Sequence, residues 1–247
     1  LPGTMISGTG FAPNGKLPLY GVNVYVPVSE PLPFTEGVQC SQCTSQLDGG
    51  SVTSSTSDTA GRFQLTNVPD GADVPLILQV GKWRRKAVIP TIVACQDNPL
   101  PAELTSLPKN SAQGDLPKIA ITTGSCDALE CLVKKLGVDT NEFSIHGRPG
   151  QIHLYESSGA FALPDQTILP NARQLWADLD KLKQYDIALF SCECGRHVDA
   201  TPTMMRNIKQ FADLGGRVFM SHYNAMWISG SETAPQAVWP EVASCNE

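Results

Sequence analysis

The sequence is short of three things, and each shortage removes a class of function. No stretch approaches the roughly 18 consecutive apolar residues that a membrane-spanning helix needs, so no membrane span is expected in its 247 residues. Like charges do not gather: 18 Lys and Arg against 24 Asp and Glu leave a net charge of −6, spread along the chain. That removes the basic face that a nucleic acid or an anionic membrane would require. Histidine is scarce as well, four in all with none before His146, so the cysteines of the first half have no imidazole to complete a zinc site. The densest basic run, Lys82-Trp83-Arg84-Arg85-Lys86, has strand character. Alternation puts Lys82, Arg84 and Lys86 on one face and Trp83 and Arg85 on the other. A solvated strand face is expected there, with a local anion or glycan contact as the alternative.

What is present points outward from the cell. With 41% apolar residues the chain can bury a sizeable core, and its length fits two domains more comfortably than one. Eight cysteines, 19 prolines and 21 glycines suit an oxidising compartment. The chain opens on Leu1 rather than Met, as it would after removal of a signal peptide or at any other boundary. The expected location is extracellular or at the cell surface, with the periplasm as a further option.

Up to about Val93 the pattern is of short β-rich runs, Val22-Asn-Val-Tyr-Val26, Arg62-Phe-Gln-Leu65, Val74 to Val80 and Ala87 to Pro90, broken by Asn-Gly, Asp-Gly-Gly and Pro-Asp-Gly turns. An all-β sandwich is predicted over residues 1–97. Residues 98–116, rich in Pro, Asn, Ser and Gly, read as a linker. The period then changes. Strands are predicted at Lys118 to Thr122, Gln151 to Tyr155, Tyr185 to Ser191 and Arg217 to Met220. Between them lie helices striped by Leu129, Leu132, Val133 and Leu136, by Ala172, Leu175, Trp176, Leu179 and Leu182, and by Met204, Ile208 and Phe211. Thr201 with Pro202 opens the last helix and Gly215-Gly216 closes it. Strands alternating with helices make a parallel, doubly wound, flavodoxin-like α/β sheet over 117–230, followed by an irregular tail over 231–247.

Two passages of the first half carry a resemblance. Ile6-Ser-Gly-Thr-Gly with Leu17-Pro-Leu-Tyr-Gly-Val-Asn-Val-Tyr-Val26, and Thr56-Ser-Asp-Thr-Ala-Gly-Arg-Phe-Gln-Leu-Thr-Asn-Val-Pro-Asp-Gly71, resemble the carboxypeptidase-regulatory-like module, a transthyretin-like β-sandwich. The resemblance implies an accessory module, not a catalyst. The insertion from Pro31 to Gly50, carrying Cys40 and Cys43, departs from its compact pattern. In the second half, Tyr185-Asp-Ile-Ala-Leu-Phe-Ser-Cys-Glu-Cys-Gly195 followed by Leu214-Gly-Gly-Arg-Val-Phe-Met-Ser-His-Tyr-Asn-Ala225 resembles the class I glutamine-amidotransferase-like superfamily, in particular its ThuA-like branch. The pairing of the two resembles large secreted bacterial proteins, and that likeness brings no activity with it.

In amidotransferases the elbow after such a strand holds the cysteine that attacks an amide. Here the resemblance puts His222 in that place, so glutaminase chemistry is not expected. Two readings follow. In the first, the chain is an exported, disulfide-stabilised binding or structural protein that acts in assembly at the cell surface, with a degenerate α/β domain and no cofactor. In the second, it is a ThuA-like hydrolase of carbohydrate with His222 at its centre and Glu193, Tyr223 and Asn224 around it. Glu156 and Glu193, both at strand ends, have the residue types of a glycosidase acid pair.

The cysteines have readings of their own. Cys40, Cys43, Cys95, Cys126, Cys131, Cys192, Cys194 and Cys245 are all disulfide candidates. Cys126 with Cys194 and Cys131 with Cys192 are the pairs expected at the strand ends, and Cys40 or Cys43 is expected to bond to Cys95 or to its own neighbour. Cys126, Cys192 and Cys194 with His197 form a metal-ligating alternative. Cys192 or Cys194 with a histidine base is a catalytic-thiol alternative for which no orienting third group is visible. Four strands make an incomplete sheet with an unpaired apolar edge. A second chain, another copy of this one or the rest of a longer polypeptide is therefore the expected partner, with a glycan as the small-molecule option.

Overall fold

The computed structural model describes residues 3–40, 47–195 and 200–230. They divide into two compact units. The first takes in the described parts of Leu1–Thr35, Cys43–Leu116 and Val133–Thr140, the second those of Glu36–Gln42, Pro117–Leu132 and Asn141–Glu247.

The first unit encloses one core between two sheets. Its strands are β1 (Met5–Thr9), β2 (Asn23–Pro27), β3 (Ser51–Thr56), β4 (Arg62–Thr66), β5 (Gly71–Val80), β6 (Trp83–Ile92), β7 (Asp97–Pro99) and β8 (Gly114–Asp115), with a short helix α1 (Ala102–Thr105) before β8. One sheet runs β4-β1-β7 and the other β3-β2-β5-β6-β8. Every pairing is antiparallel except that of β1 with β7. Alternation sorts the faces. In β4, Phe63 and Leu65 point in and Arg62, Gln64 and Thr66 point out. They join Ile6, Val22, Val24, Val26, Leu76, Leu78 and Ile89 in the core, each large side chain contributing about 1.5–3 kcal/mol by leaving water. The turn into β4 is built by Asp58, whose Oδ1 accepts the N–H groups of Ala60 (2.9 Å) and Arg62 (2.8 Å). Gly61 sits in that turn at φ +77°, where a Cβ would run into Pro18.

Two sequence expectations are corrected in this unit. Residues 98–116, expected to be a linker, are woven into the sheets. β7 pairs with β1, β8 pairs with β6, and Asn98 Nδ2 donates to the carbonyl of Met5 at 3.1 Å. The face of Lys82, Arg84 and Lys86 is not a plainly solvated one. Arg84 is fully buried, as is Tyr25 on the neighbouring strand, because the described part of the 31–50 insertion folds back over the sheet. The guanidinium of Arg84 donates to Asp115 Oδ2 (2.8 Å), Asp48 Oδ2 (3.1 Å) and the Leu32 carbonyl (2.8 Å), and lies 4.1 Å over the Phe34 ring. A charge is tolerated there because its fork of donors is matched by two carboxylates, a carbonyl and an aromatic face.

The second unit is a parallel sheet with helices. Its elements are β9 (Ile119–Thr122), α2 (Leu129–Lys135), whose last turn belongs to the first unit, β10 (Phe143–Ser144), β11 (Ile152–Tyr155), α3 (Arg173–Trp176), α4 (Leu179–Leu182), β12 (Ile187–Phe190), α5 (Pro202–Asp213), β13 (Arg217–Met220) and α6 (Met226–Ser229). The order is β10-β11-β9-β12-β13, all parallel. All four expected strands are there. A fifth, β10, was not expected, since two residues carry no readable period. The helix expected from Ala172 to Leu182 is two short helices instead, broken where Asp178 turns extended and caps α4, its Oδ1 accepting the Lys181 N–H at 3.0 Å. In α2, Leu129 and Val133 are buried as the stripe predicts, but Leu132 is exposed. Thr201 caps α5 as read, accepting the Met204 N–H at 3.3 Å, with Pro202 at its first turn. The edge strand β13 pairs with β12 alone among the described residues, and its Phe219 is half exposed.

Candidate functional site

Counting only the four longer strands of the α/β unit, the spatial order is second, first, third, fourth, so the winding direction reverses between β9 and β12. Doubly wound sheets place their ligand crevice outside the carboxyl ends of the strands at such a reversal. The segments there are Gly124 to Asp127 after β9 and Ser191 to Cys194 after β12, with Ser221 to Asn224 after β13 alongside.

These three strand ends are tied together tightly. Gly124 is required by close approach, since a Cβ on it would collide with the backbone of Cys192. The N–H of Cys126 donates to the Cys192 carbonyl at 3.0 Å. Cys126 and Cys194 are joined by a disulfide with a Cα–Cα distance of 5.2 Å, so the crevice at the reversal point is spanned by a cystine. Asp127 works as a clamp. One carboxylate oxygen accepts the backbone N–H of Cys192, and the other accepts the hydroxyl of Ser221 at 2.5 Å.

His222 follows at the elbow. Its φ is +49°, a left-handed conformation uncommon for a residue with a Cβ. The side chain is exposed, with Nδ1 3.1 Å from the thiol sulfur of buried Cys192. An imidazole with Nδ1 unprotonated accepts the S–H there. Tyr223, also exposed, packs its ring edge-on to His222 with centroids 4.4 Å apart. Asn224 faces the other way. It is buried, donates to the carbonyls of Phe190 (3.1 Å) and Ser191 (2.9 Å), and accepts from Trp227 Nε1 (3.1 Å). It therefore braces the elbow from beneath. The Glu193 carboxylate accepts the Ser157 hydroxyl. Glu156 uses its backbone N–H on the Pro170 carbonyl at 2.8 Å, bridging toward α3.

Of the cysteine expectations, the Cys126–Cys194 bond is present. Cys131 and Cys192 are separate thiols, because Cys131 lies on the exposed side of α2 while Cys192 is turned in toward His222. Cys40 and Cys95 are both exposed and unbonded. Cys95 is held instead in a left-handed turn, its N–H on Thr4 Oγ1 at 3.0 Å. Cys43, Cys245 and His197 lie outside the described residues. The metal-ligating alternative loses two of its thiolates, since Cys126 and Cys194 are consumed by their own bond. No local spacing shows that a carboxylate after β9 will reach two other strand ends.

A second polar cluster lies in the helix-covered core of the same unit. The Tyr185 hydroxyl meets His153 Nδ1 (2.9 Å), His146 Nδ1 (3.1 Å) and the Tyr155 hydroxyl (2.8 Å). One assignment serves the three contacts at the Tyr185 hydroxyl: His153 Nδ1–H and Tyr155 donate to Tyr185, which donates to His146. Burial, with Lys118 adding to it, pulls His153 down to about 4, and burial pushes Tyr155 up to about 12 and Tyr185 further. The cluster is neutral at pH 7, which suits a structural role.

No known protein family matches the sequence, and no curated protein matches it. Among solved structures, chains from two interface mutants, one N-terminal and one C-terminal, of a type II cohesin–X-dockerin complex from Acetivibrio cellulolyticus are similar over 56% of this chain and 86% of theirs. Identity is 18% in both, with TM-scores of 0.28 and 0.27. Similarity at that level carries no argument. The class that the described residues define by themselves is a β-sheet unit with an α/β unit of five parallel strands.

Proposed function

We propose that this chain is an exported, disulfide-stabilised binding or assembly protein of the cell surface, in which a transthyretin-like module is joined to an amidotransferase-like unit that has lost amidotransferase chemistry. The observation that carries this reading is the Cys126–Cys194 cystine across the reversal point of the sheet, where an enzyme of this architecture would admit its substrate. The residue at the nucleophile position supports it: His222 stands where a thiolate would attack an amide, and an imidazole there does not perform that step. The disulfide suits an oxidising compartment. The half-exposed edge of β13 suits a partner that adds to the sheet.

Light scattering on the purified chain over a hundredfold concentration range, together with a glycan array, tests this reading. Self-association or saturable glycan binding that survives His222→Ala supports it. Monomeric behaviour with no glycan bound, together with turnover of nitrophenyl glycosides that His222→Ala abolishes, overturns it in favour of the carbohydrate hydrolase. That second reading has one observation in its favour, the exposed His222 at a left-handed elbow with Tyr223 against it. Glu193 is its candidate acid, and Asn224 enters it only as the brace under the elbow.

A further inference from the structure

Three of the four cysteines of the α/β unit's described residues other than Cys40 converge on one point, and only two of them are bonded. Cys126 is bonded to Cys194, yet its backbone N–H is held by the carbonyl of Cys192. That contact makes the two residues backbone neighbours, and a disulfide needs two cysteines whose Cα atoms lie about 4.4–6.8 Å apart. Cys126 is therefore within reach of two alternative partners, and one carries a free thiol.

We propose that Cys192, His222 and the Cys126–Cys194 bond form a thiol–disulfide exchange centre whose substrates are disulfides exposed on other proteins. The thiol proton of Cys192 passes to His222 Nδ1. The thiolate attacks Cys126 Sγ, forming Cys126–Cys192 and breaking Cys126–Cys194, with the electron pair leaving on Cys194 Sγ. The imidazolium returns its proton to solvent and the Cys194 thiolate takes one up. One disulfide and one thiol stand on each side, so no oxidant or reductant is required. Cys194, exposed at the surface, then gives its proton back to solvent and attacks a partner disulfide as the thiolate, becoming the mixed disulfide and releasing one partner thiolate.

Each part of the step has a structural basis. The thiolate is the nucleophile in such exchange, and the imidazole that can generate it lies 3.1 Å from the sulfur. Asp127 is the positioning residue: by holding the Cys192 N–H and the Ser221 hydroxyl, one residue before His222, it fixes thiol and imidazole relative to each other. Both bonded cysteines are exposed, as in the labile and catalytic class of disulfides. Cys194 is held at φ +62° while bonded, a conformation that release of its sulfur allows it to leave. The inference does not depend on the binding and assembly reading, since exchange is intramolecular until Cys194 is free.

The test uses the intact chain, incubated at pH 8 with N-ethylmaleimide, quenched in acid and mapped by mass spectrometry without reduction. The expected result is a growing population with Cys126–Cys192 linked and Cys194 alkylated, absent in Cys192→Ser. His222→Ala is expected to slow that population about tenfold at pH 7 and to make its rate climb more steeply toward pH 9, a change that a purely structural histidine would not produce. Cys126–Cys194 as the sole linkage after prolonged incubation of the wild-type chain overturns the proposal, whether or not Cys192 is alkylated. The wild-type map decides even where a variant fails to fold.

Discussion

Arg84 in the β unit and Tyr185 in the α/β unit are both fully buried polar side chains at the centre of a cluster, and the two clusters are satisfied in opposite ways. The Arg84 guanidinium is met by charge, from Asp48 and Asp115, and by an aromatic face. Tyr185 is met by neutral groups, and burial keeps them neutral by holding the histidines down and the tyrosines up. The difference teaches that a buried cation needs countercharge, here one carboxylate from the neighbouring strand β8 and a second from a long insertion, whereas a neutral network can be assembled from two residues of β11 and two from the segments before β12 and after β10.

The comparison can be broken most severely at the cation. Arg84→Ala removes the common partner of two partly buried carboxylates and the anchor of the 31–50 insertion. The expected loss is about 3–5 kcal/mol, the range for breaking a buried ion pair from one side, read as a shift of the urea midpoint. Tyr185→Phe keeps the ring but removes the hydroxyl that three groups share, leaving His153 and Tyr155 donors unpartnered in the core. About 3 kcal/mol is expected by the same measurement, since each orphaned buried group costs roughly 1–3 kcal/mol.

The smallest effect sharpens the contrast through pH. The folded state holds His153 at about 4, below the 6.5 of an unperturbed histidine, so above pH 6.5 neither folded nor unfolded chain carries its proton and this group adds no slope. Between 6.5 and about 4 only the unfolded chain takes up the proton, and stability falls as pH is lowered; below about 4 both are protonated and the loss levels off. His146, also lowered by burial, acts in the same direction. Melting temperatures at pH 7.5, 5.5 and 4.5 are expected to decline in the wild type and to decline less in His153→Leu.

Much of the α/β unit was legible because its elements announce themselves locally. Four buried strands, the Thr201-Pro202 start of α5 and the Gly215 stop all follow from period and cap chemistry over a few residues. Two-residue strands such as β8 and β10 were not legible, because pairing defines them and period does not. The linker expectation failed for a related reason: Pro, Asn and Gly mark irregular backbone, but irregular backbone can still give its hydrogen bonds to a sheet, as Asn98 does. At the strand ends, the Cys126–Cys194 bond was among the expected pairs, whereas the Cys131–Cys192 pair was not formed.

By itself the sequence determined the two kinds of unit, the faces of most strands and the set of side chains that would gather at the carboxyl ends of the parallel sheet. These depend on local alternation, capping and the order of elements along the chain. Only the tertiary structure decided that Arg84 would be covered, that Asp127 would clamp three strand ends, and that Cys192 would sit against His222 while its neighbour Cys194 was bonded to Cys126. Those outcomes join residues 30 to 94 positions apart, and at such separations distance and direction are set by the packing of whole elements, which no stretch of sequence carries on its own.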